Sequence, residues 1–152
     1  MRLVIQRVRS GSAAVAGVVV GQIGGGLVVL IGITHGDTPA TADLLANKLV
    51  NLRIFNDAAG KMNRSALNVA AEVLVISQFT LYADARKGRR PSFVDAAPPT
   101  LAASLYQAFA AAVAASGLRV ATGQFQTEML VEIWNDGPVT IVLDSADFAG
   151  KD

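Results

Sequence analysis

Apolar residues between Met1 and Thr34 occur in short, β-branched runs that glycines interrupt. Gly17, Gly21 and the triplet Gly24–Gly26 stand at the interruptions. Because β-branched side chains favour strands and glycine favours tight turns, this alternation predicts a meander of short antiparallel strands at the start of the chain.

Two later segments have apolar residues at helical spacing, and each predicts a helix with one buried face. In the first, Thr38 suits an N-cap and Pro39 suits the first helical position. Its apolar stripe consists of Ala42, Leu45, Leu49 and Leu52. The second is an alanine-rich segment that follows Pro98 and Pro99 and that Gly117 ends. Its stripe consists of Leu101, Leu105, Phe109 and Val113.

The remaining apolar runs predict strands. Arg53–Phe55 is a short one, and Val73–Ile76 is a continuous run typical of a central strand. Near the end of the chain, apolar residues alternate before and after a turn predicted at Asn135–Pro138. They are Met129, Val131, Ile133, Val139, Ile141 and Leu143. The chain is therefore predicted to form one compact domain over residues 1–152, an α/β fold of the α+β type with a mainly antiparallel sheet and two main helices.

The composition favours self-association. Of 152 residues, 52% are hydrophobic and only 16% are charged, which gives more apolar surface than a monomer of this size needs. The chain has no cysteine, so disulfides, a thiolate nucleophile and cysteine-ligated zinc are excluded.

Neither of the two stretches without charged residues, 10–36 and 96–118, is expected to cross a membrane. Glycines divide the first, and the second is mostly alanine with a single apolar stripe. The first residues also lack an apolar run followed by a small-residue cleavage site, so no secretory signal is expected. A cytoplasmic location is predicted.

Most familiar catalytic patterns are missing from the sequence. His35 is the one histidine, and its place in a turn before a helix favours a solvated or capping role over catalysis. Gly24–Gly26 lies between predicted strands, which favours a hairpin over a dinucleotide-binding loop. No cluster of ligands suggests a metal site, and no cofactor is predicted.

Polar residues stand where the central strand is predicted to end, in the order Ser77, Gln78, Phe79, Thr80. Side chains and free backbone N–H groups at such a strand end can face a ligand. The same residues could equally cap the strand. Both interpretations stay open on these residues alone.

The next segment concentrates the positive charge of the chain. Arg86, Lys87, Arg89 and Arg90 make up four of the 13 basic residues, and the other 9 stand against 12 acidic ones. This basic loop, residues 86–90, suits the phosphate backbone of RNA. The alternative is an ordinary solvated loop.

Arg7 is predicted to share a strand face with the apolar Leu3 and Ile5. A charge on such a face needs a partner. Arg7 could protect an edge strand against aggregation or hold part of a site, and the second role is slightly favoured.

Two motifs give the chain a recognisable family. Ser77–Leu81 and Asn135–Thr140 resemble the signature motifs of the D-aminoacyl-tRNA deacylases. Three further segments follow in the same order as in that family: Gln6–Val8, Arg53–Phe55 with Gly60–Asn63, and Arg90–Phe93. The resemblance covers nearly the whole chain. Its departures are the alanine-rich helix and a tail after Asp144, which is expected to be flexible.

The resemblance implies a barrel-like fold and a homodimer whose site, at the interface, receives the aminoacylated 3′ adenosine of tRNA. In this family a cis Gly-Pro peptide enters the partner's pocket, which assigns chiral selection to Gly137 and Pro138, with Asn135 beside them. Arg7 would hold this peptide in place. Main chain in the direction of an L side chain would reject L-aminoacyl esters.

For catalysis, the resemblance implies few side-chain reactions. The N–H of Phe79, with groups of Ser77 and Gln78, would stabilise the oxyanion while water attacks, helped by the ribose 2′-hydroxyl. Thr80 is the second candidate, as nucleophile or water-positioner.

The predicted activity is hydrolysis of D-aminoacyl-tRNA, and of glycyl-tRNA as a second substrate, to free tRNA and amino acid. Two other functions stay open. One is a tRNA-binding dimer without catalysis, and the other is an esterase for small molecules with a hydroxyl nucleophile.

Overall fold

Three strands at the start of the chain pair around the first one. In the computed structural model, which describes residues 1–149, β1 (Arg2–Val15) pairs antiparallel with both β2 (Val18–Ile23) and β3 (Gly26–Gly32). The predicted meander of short strands is therefore wrong in order and length, because β1 runs 14 residues and separates β2 from β3. A Cβ at Gly11 would lie 2.6 Å from Val28 Cγ2, so glycine at this position lets the Val28 side chain of β3 pack closely on β1.

The segment after β3 crosses one face of the sheet. It contains α1 (Pro39–Asn51), the hairpin of β4 (Phe55–Asn56) and β5 (Met62–Arg64), and the short helix α2 (Ala66–Val69). The predicted start of α1 is confirmed, since the Thr38 hydroxyl accepts a hydrogen bond from the Thr41 N–H at 3.3 Å. The strand predicted at Arg53–Phe55 begins only at Phe55, because the Ile54 carbonyl accepts from the Arg7 side chain.

The predicted central strand is confirmed as β6 (Glu72–Ser77), which lies parallel to and between β3 and β7 (Val120–Thr122). Between β6 and β7, α3 (Pro99–Ala115) is the predicted alanine-rich helix. Its stripe is buried at Leu105, Phe109 and Val113, whereas Leu101 at the first turn is 36% exposed. Gly117 follows the helix with a φ of +92°, which favours glycine.

The turn predicted at Asn135–Pro138 is wrong. One strand, β8 (Leu130–Asp144), runs through these residues, and both of its arms pair with β1. Between the pairs Gln6–Thr140 and Val8–Asn135, β1 has a single residue whereas β8 has residues 136–139. We call residues 136–139 the β8 bulge. The composition is that of a turn, but the two arms do not pair with each other.

The sheet nearly closes on itself and has core side chains on both faces. At β2 and β7, a Cβ on Gly21 would collide with the Thr122 carbonyl oxygen, so the two ends of the sheet come together. The helices α1 and α3 pack on one face, and the other face holds Val28, Leu74 and Ile76 with side chains of β8. The predicted α+β class and barrel-like sheet are confirmed.

After β8, Ser145–Phe148 form a 3-10 helix, and Phe148 packs against the core. The rest of the predicted tail, residues 150–152, lies outside the described residues. Within residues 1–149, no helix is both long enough and apolar enough to span a membrane.

Candidate active site

A groove of about 1000 Å³ lies at the carboxyl end of β6. Its walls come from the end of β6, the segment between the basic loop and α3, and the segment that leads into β8. The residues that line it include Ser77, Gln78, Phe79, His35, Phe93, Val94, Phe125, Gln126 and Met129.

The floor of the groove is the predicted polar strand end. Ser77 is the last residue of β6, and the Gln78 N–H still donates to the Ile31 carbonyl of β3 at 2.8 Å. The chain then turns into a 3-10 helix, Phe79–Tyr82. A Cβ at Gly32 would lie 2.9 Å from Leu81 Cβ, so glycine at this position lets the 3-10 helix pack directly on β3.

Two backbone N–H groups are free at this point. The first N–H groups of a helix have no partner within it, and Gln78 makes no side-chain cap. Within residues 1–149, the N–H groups of Phe79 and Thr80 donate to no other group. The Gln78 side-chain amide instead donates to Thr80 Oγ1 at 2.5 Å. The strand end therefore has two adjacent donors and a hydroxyl whose orientation an amide fixes.

Aromatic side chains border these donors. Phe79 is 56% exposed, and its ring meets that of Phe93 edge-on at a centroid distance of 5.1 Å. On the other side of the groove, Phe125 and Met129 add apolar surface. Flat apolar walls around a few polar groups are typical of a site for an organic ligand.

The basic loop leads into the groove through Ser92 and Phe93. The Asp84 and Ser92 backbones form an antiparallel bridge that closes the loop. Arg86 donates two hydrogen bonds of 2.8 Å to the Asp84 carboxylate, which hold the pKa of that carboxyl at about 2. Lys87, Arg89 and Arg90 are exposed and pair with no carboxylate among the described residues. They give the loop that precedes Phe93 of the groove wall a positive charge.

Behind the strand end, Tyr82 connects the 3-10 helix to the start of β1. Burial, with Asp144 and Asp37 nearby, raises the pKa of the Tyr82 phenol well above its ordinary value. The Arg2 guanidinium lies 4.9 Å from the centre of the Tyr82 ring and donates to the Leu81 carbonyl at 2.7 Å. These contacts fix the far end of the 3-10 helix.

Arg7 is 7% exposed and holds the β8 bulge against the hairpin β4–β5. Its Nε donates to the Asp136 carbonyl at 3.0 Å, and its Nη1 donates to the Ile54 carbonyl at 2.7 Å. The Gly137–Pro138 peptide of the bulge is cis, as the resemblance implies, and Gly137 has a φ of +130°. Asn135 pairs with Val8 just before the bulge.

Comparison with known proteins decides the family. A family model described as D-Tyr-tRNA(Tyr) deacylase matches residues 4–144. The chain belongs to this family. A D-aminoacyl-tRNA deacylase of Chloroflexus aurantiacus is 58% identical over 147 residues, which cover 97% of this chain and 92% of the relative.

Two solved structures are similar over nearly the whole chain. One, named c-Myc DNA Unwinding Element Binding Protein, is 38% identical with a TM-score of 0.88, and the match covers 95% of this chain and 98% of the other. The second, described as a probable eukaryotic D-amino acid tRNA deacylase, has a TM-score of 0.81 at 20% identity and covers 93% and 97%. The second likeness concerns the fold alone, and both agree with the fold of the deacylase family.

For this member of the deacylase family, the structure separates the predicted site residues into two sets. Ser77, Gln78 and Phe79 line the groove, with Thr80 directly after them. Gly137 and Pro138 do not line the groove of their own chain. Within the single chain, the two signature motifs therefore do not form a joint site.

Sequence reasoning missed part of the groove wall. His35 is exposed and its Nε2 lies 3.0 Å from the Val94 carbonyl oxygen, which ties the groove wall to the loop before α1. Gln126 lines the groove with a φ of +57°, which is uncommon for a residue other than glycine. No local pattern in the sequence marks either position as part of a groove. Among residues 1–149, no three His, Asp or Glu side chains gather where a metal ion could be held.

Proposed function

We propose that the chain hydrolyses the ester bond of D-aminoacyl-tRNA, and of glycyl-tRNA, releasing free tRNA and the amino acid. Membership of the deacylase family supports the activity. The observation that supports the location is the pair of free N–H groups of Phe79 and Thr80 at the end of a large groove. Aminoacyl-tRNA is used in translation, so the protein acts in the cytoplasm.

The free N–H groups form the oxyanion site of this reaction. Attack of water on the ester carbonyl places a negative charge on its oxygen, and the Phe79 N–H, with the Thr80 N–H beside it, stabilises that charge. A donor in this role contributes roughly 3–4 kcal/mol to transition-state stabilisation. The ribose 2′-hydroxyl of the terminal nucleotide assists the water.

Thr80 orients water in this mechanism and does not attack the ester. Its hydroxyl oxygen accepts a hydrogen bond from the Gln78 amide, and an amide cannot remove a proton at neutral pH. A hydroxyl nucleophile needs an adjacent base. Within residues 1–149, no carboxylate or imidazole is hydrogen-bonded to Thr80.

Chiral selection comes from a second subunit. Since Gly137 and Pro138 lie outside the groove of their own chain, they can reach a groove only in a partner. The strand that presents them has large exposed apolar side chains, with Leu130 70% and Trp134 69% exposed, which suits burial in a homodimer. Their carbonyl groups bind the substrate's amino group, and the main chain occupies the direction of an L side chain.

The experiment compares the two enantiomers of one substrate. The purified protein is incubated with D-Tyr-tRNA and with L-Tyr-tRNA, and release of free tyrosine is followed together with the oligomeric state. We expect rapid release from the D ester only, by a dimer. Equal rates on the two esters, or binding of tRNA without release, contradicts the proposal.

A further inference from the structure

Among residues 1–149, the basic residues outside the basic loop fall into two groups. Those in the first group each have a partner: Arg2, Arg7, Arg9 and Arg119 pair with carboxylates, and Lys48 lies over the Phe148 ring. Those in the second group, Arg53, Lys61 and Arg64, have no carboxylate within 4.0 Å among the described residues. We call these three exposed residues the hairpin cluster, because they lie on or beside β4 and β5.

Neutral groups hold the two arginines of the hairpin cluster in place. Arg53 donates to the Asn63 carbonyl at 2.7 Å and to its side-chain oxygen at 3.0 Å. Arg64 donates to the Asn68 carbonyl at 2.8 Å. These bonds fix the guanidinium groups without neutralising their charge, and they leave other N–H donors of each free.

The one acidic residue of the hairpin turn is already engaged. Asp57 accepts hydrogen bonds from the N–H groups of Ala59 and Lys61 at 2.9 Å and from the Asn63 side chain at 2.7 Å. Its carboxylate thus stabilises the turn and is not paired with a cation. The hairpin therefore presents three cations and one carboxylate, with no ion pair between them, and its net charge is positive.

Arg7 joins this hairpin to the β8 bulge. The Arg7 guanidinium bonds the Ile54 carbonyl directly before β4 and the Asp136 carbonyl at the start of the bulge. It also lies 3.5 Å from the Asn56 side-chain oxygen in β4. These hydrogen bonds fix the position of the hairpin relative to the Gly137–Pro138 peptide.

We propose that the hairpin cluster is a second binding surface for the sugar-phosphate backbone of the substrate tRNA. The inference rests on the proposed function, in which the bulge of one subunit enters the groove of the other. The hairpin cluster of the first subunit then lies beside that groove, whose wall at Phe93 follows Lys87, Arg89 and Arg90 of the other subunit in the chain. Two unneutralised basic surfaces from two subunits suit a polyanion that leaves the groove, because phosphate contacts add affinity without reading sequence.

The test removes the charges and compares a large substrate with a small one. A variant with Arg53→Gln, Lys61→Gln and Arg64→Gln is assayed on D-Tyr-tRNA and on 3′-O-D-tyrosyl adenosine, which lacks the RNA body. On the tRNA, we expect KM to rise about tenfold or more at low salt, and the slope of its log–log salt dependence to fall by roughly 1 for each phosphate that the variant no longer neutralises. On the adenosine ester, KM and kcat should stay within about twofold of the unmodified protein.

A single substitution gives a matched control. Lys61→Gln and Lys48→Gln each remove one exposed lysine charge, but Lys48 lies on α1 over the ring of Phe148 and not on the hairpin. Only Lys61→Gln should weaken binding of the tRNA substrate. Equal effects of the two, an unchanged KM of the triple variant for tRNA, or a parallel loss on the adenosine ester would overturn the inference while leaving the deacylase activity intact. If the unmodified protein cleaves neither D ester, the proposed function itself fails.

Discussion

The two motifs of the site are held by very different parts of the molecule. Ser77–Thr80 continues from β6, which has a strand on each side and whose residues Val73–Ile76 are at most 2% exposed. Gly137 and Pro138 belong to β8, which pairs with β1 alone and exposes Leu130 and Trp134. The groups proposed to act in hydrolysis therefore continue from the buried middle of the sheet, whereas the segment proposed to select the substrate is a bulge in an outer strand that the buried Arg7 holds by hydrogen bonds.

Truncation of a core side chain in β6 should cause the largest loss of stability. Leu74 is fully buried in this strand, so Leu74→Ala should lower the free energy of unfolding by about 2–5 kcal/mol, through reduced burial and the cavity left behind. Urea denaturation followed by circular dichroism measures this change. Leu74→Met conserves the volume and should cost less than about 1.5 kcal/mol. Equal losses of stability for the two variants would mean that β6 is not a tightly packed centre of the fold.

A second substitution tests whether the Arg7 hydrogen bonds hold the β8 bulge. Arg7→Lys keeps the charge but cannot reproduce the fork that joins the Asp136 and Ile54 carbonyls. Hydrogen bonds to a charged group are worth about 1.5–3 kcal/mol, so discrimination between D-Tyr-tRNA and L-Tyr-tRNA should fall roughly 10- to 100-fold. The ratio of kcat/KM values for the two esters measures the discrimination.

Arg9→Lys is the matched control for this prediction. The Arg9 side chain is 80% exposed, and its contact with the Asp136 carboxylate is 3.5 Å long, so the ratio should hardly change. Thermal melts of both variants show whether each is folded. A folded Arg7→Lys protein with undiminished discrimination would contradict the role of Arg7 in holding the bulge.

The sequence predicts elements that local burial determines, but not those that long-range strand pairing determines. The cap at Thr38, the run Val73–Ile76 and the stripe of α3 were predictable because local spacing reflects burial on one face. The turn predicted at Asn135–Pro138 is wrong because residues with the composition of a turn here form a bulge in one strand, and both arms of β8 pair with β1. Pairing with a strand more than a hundred residues away leaves no local signal.

The candidate site was predictable to the same limited extent. The polar strand end was visible because Ser77–Thr80 follows a continuous apolar run. The groove wall at His35 and Gln126 was not, because tertiary packing brings those loops to the strand end. Family resemblance, and not spacing, singled out Gly137 and Pro138.

Removal of the Thr80 hydroxyl distinguishes attack by water from a covalent intermediate, and it should have a smaller effect. Thr80→Val removes the hydroxyl that Gln78 orients but keeps the shape of the side chain. If Thr80 only positions water, kcat on D-Tyr-tRNA should fall about tenfold or less, near the value of one hydrogen bond. Rapid-quench kinetics measures the rate and any burst of released tRNA. A loss of more than about a thousandfold, with a burst in the unmodified protein, would instead identify Thr80 as a nucleophile.

Asp84 and Asp57 are the carboxylates that stabilise the basic loop and the hairpin turn, and their titration should have the smallest effect. Hydrogen bonds from Arg86 hold the pKa of Asp84 at about 2, and those from Asn63 and Lys61 lower the pKa of Asp57, against an ordinary value of 3.8. Because both values are lower in the folded chain, each carboxylate stabilises the fold above the ordinary pKa. The contribution of Asp84 should disappear as the pH falls from near 4 through about 2.

Carboxyl-carbon NMR titrations of single variants test this pair of braces independently. Arg86→Ala should raise the pKa of Asp84 toward 3.8 and leave that of Asp57 unchanged, and Asn63→Ala should do the reverse. The independence follows from the local causes of the two shifts, since Arg86 lowers the pKa of Asp84 whereas Asn63 and the Lys61 N–H lower that of Asp57. A shift of both carboxyls in either variant would show that the basic loop and the hairpin are coupled within the chain.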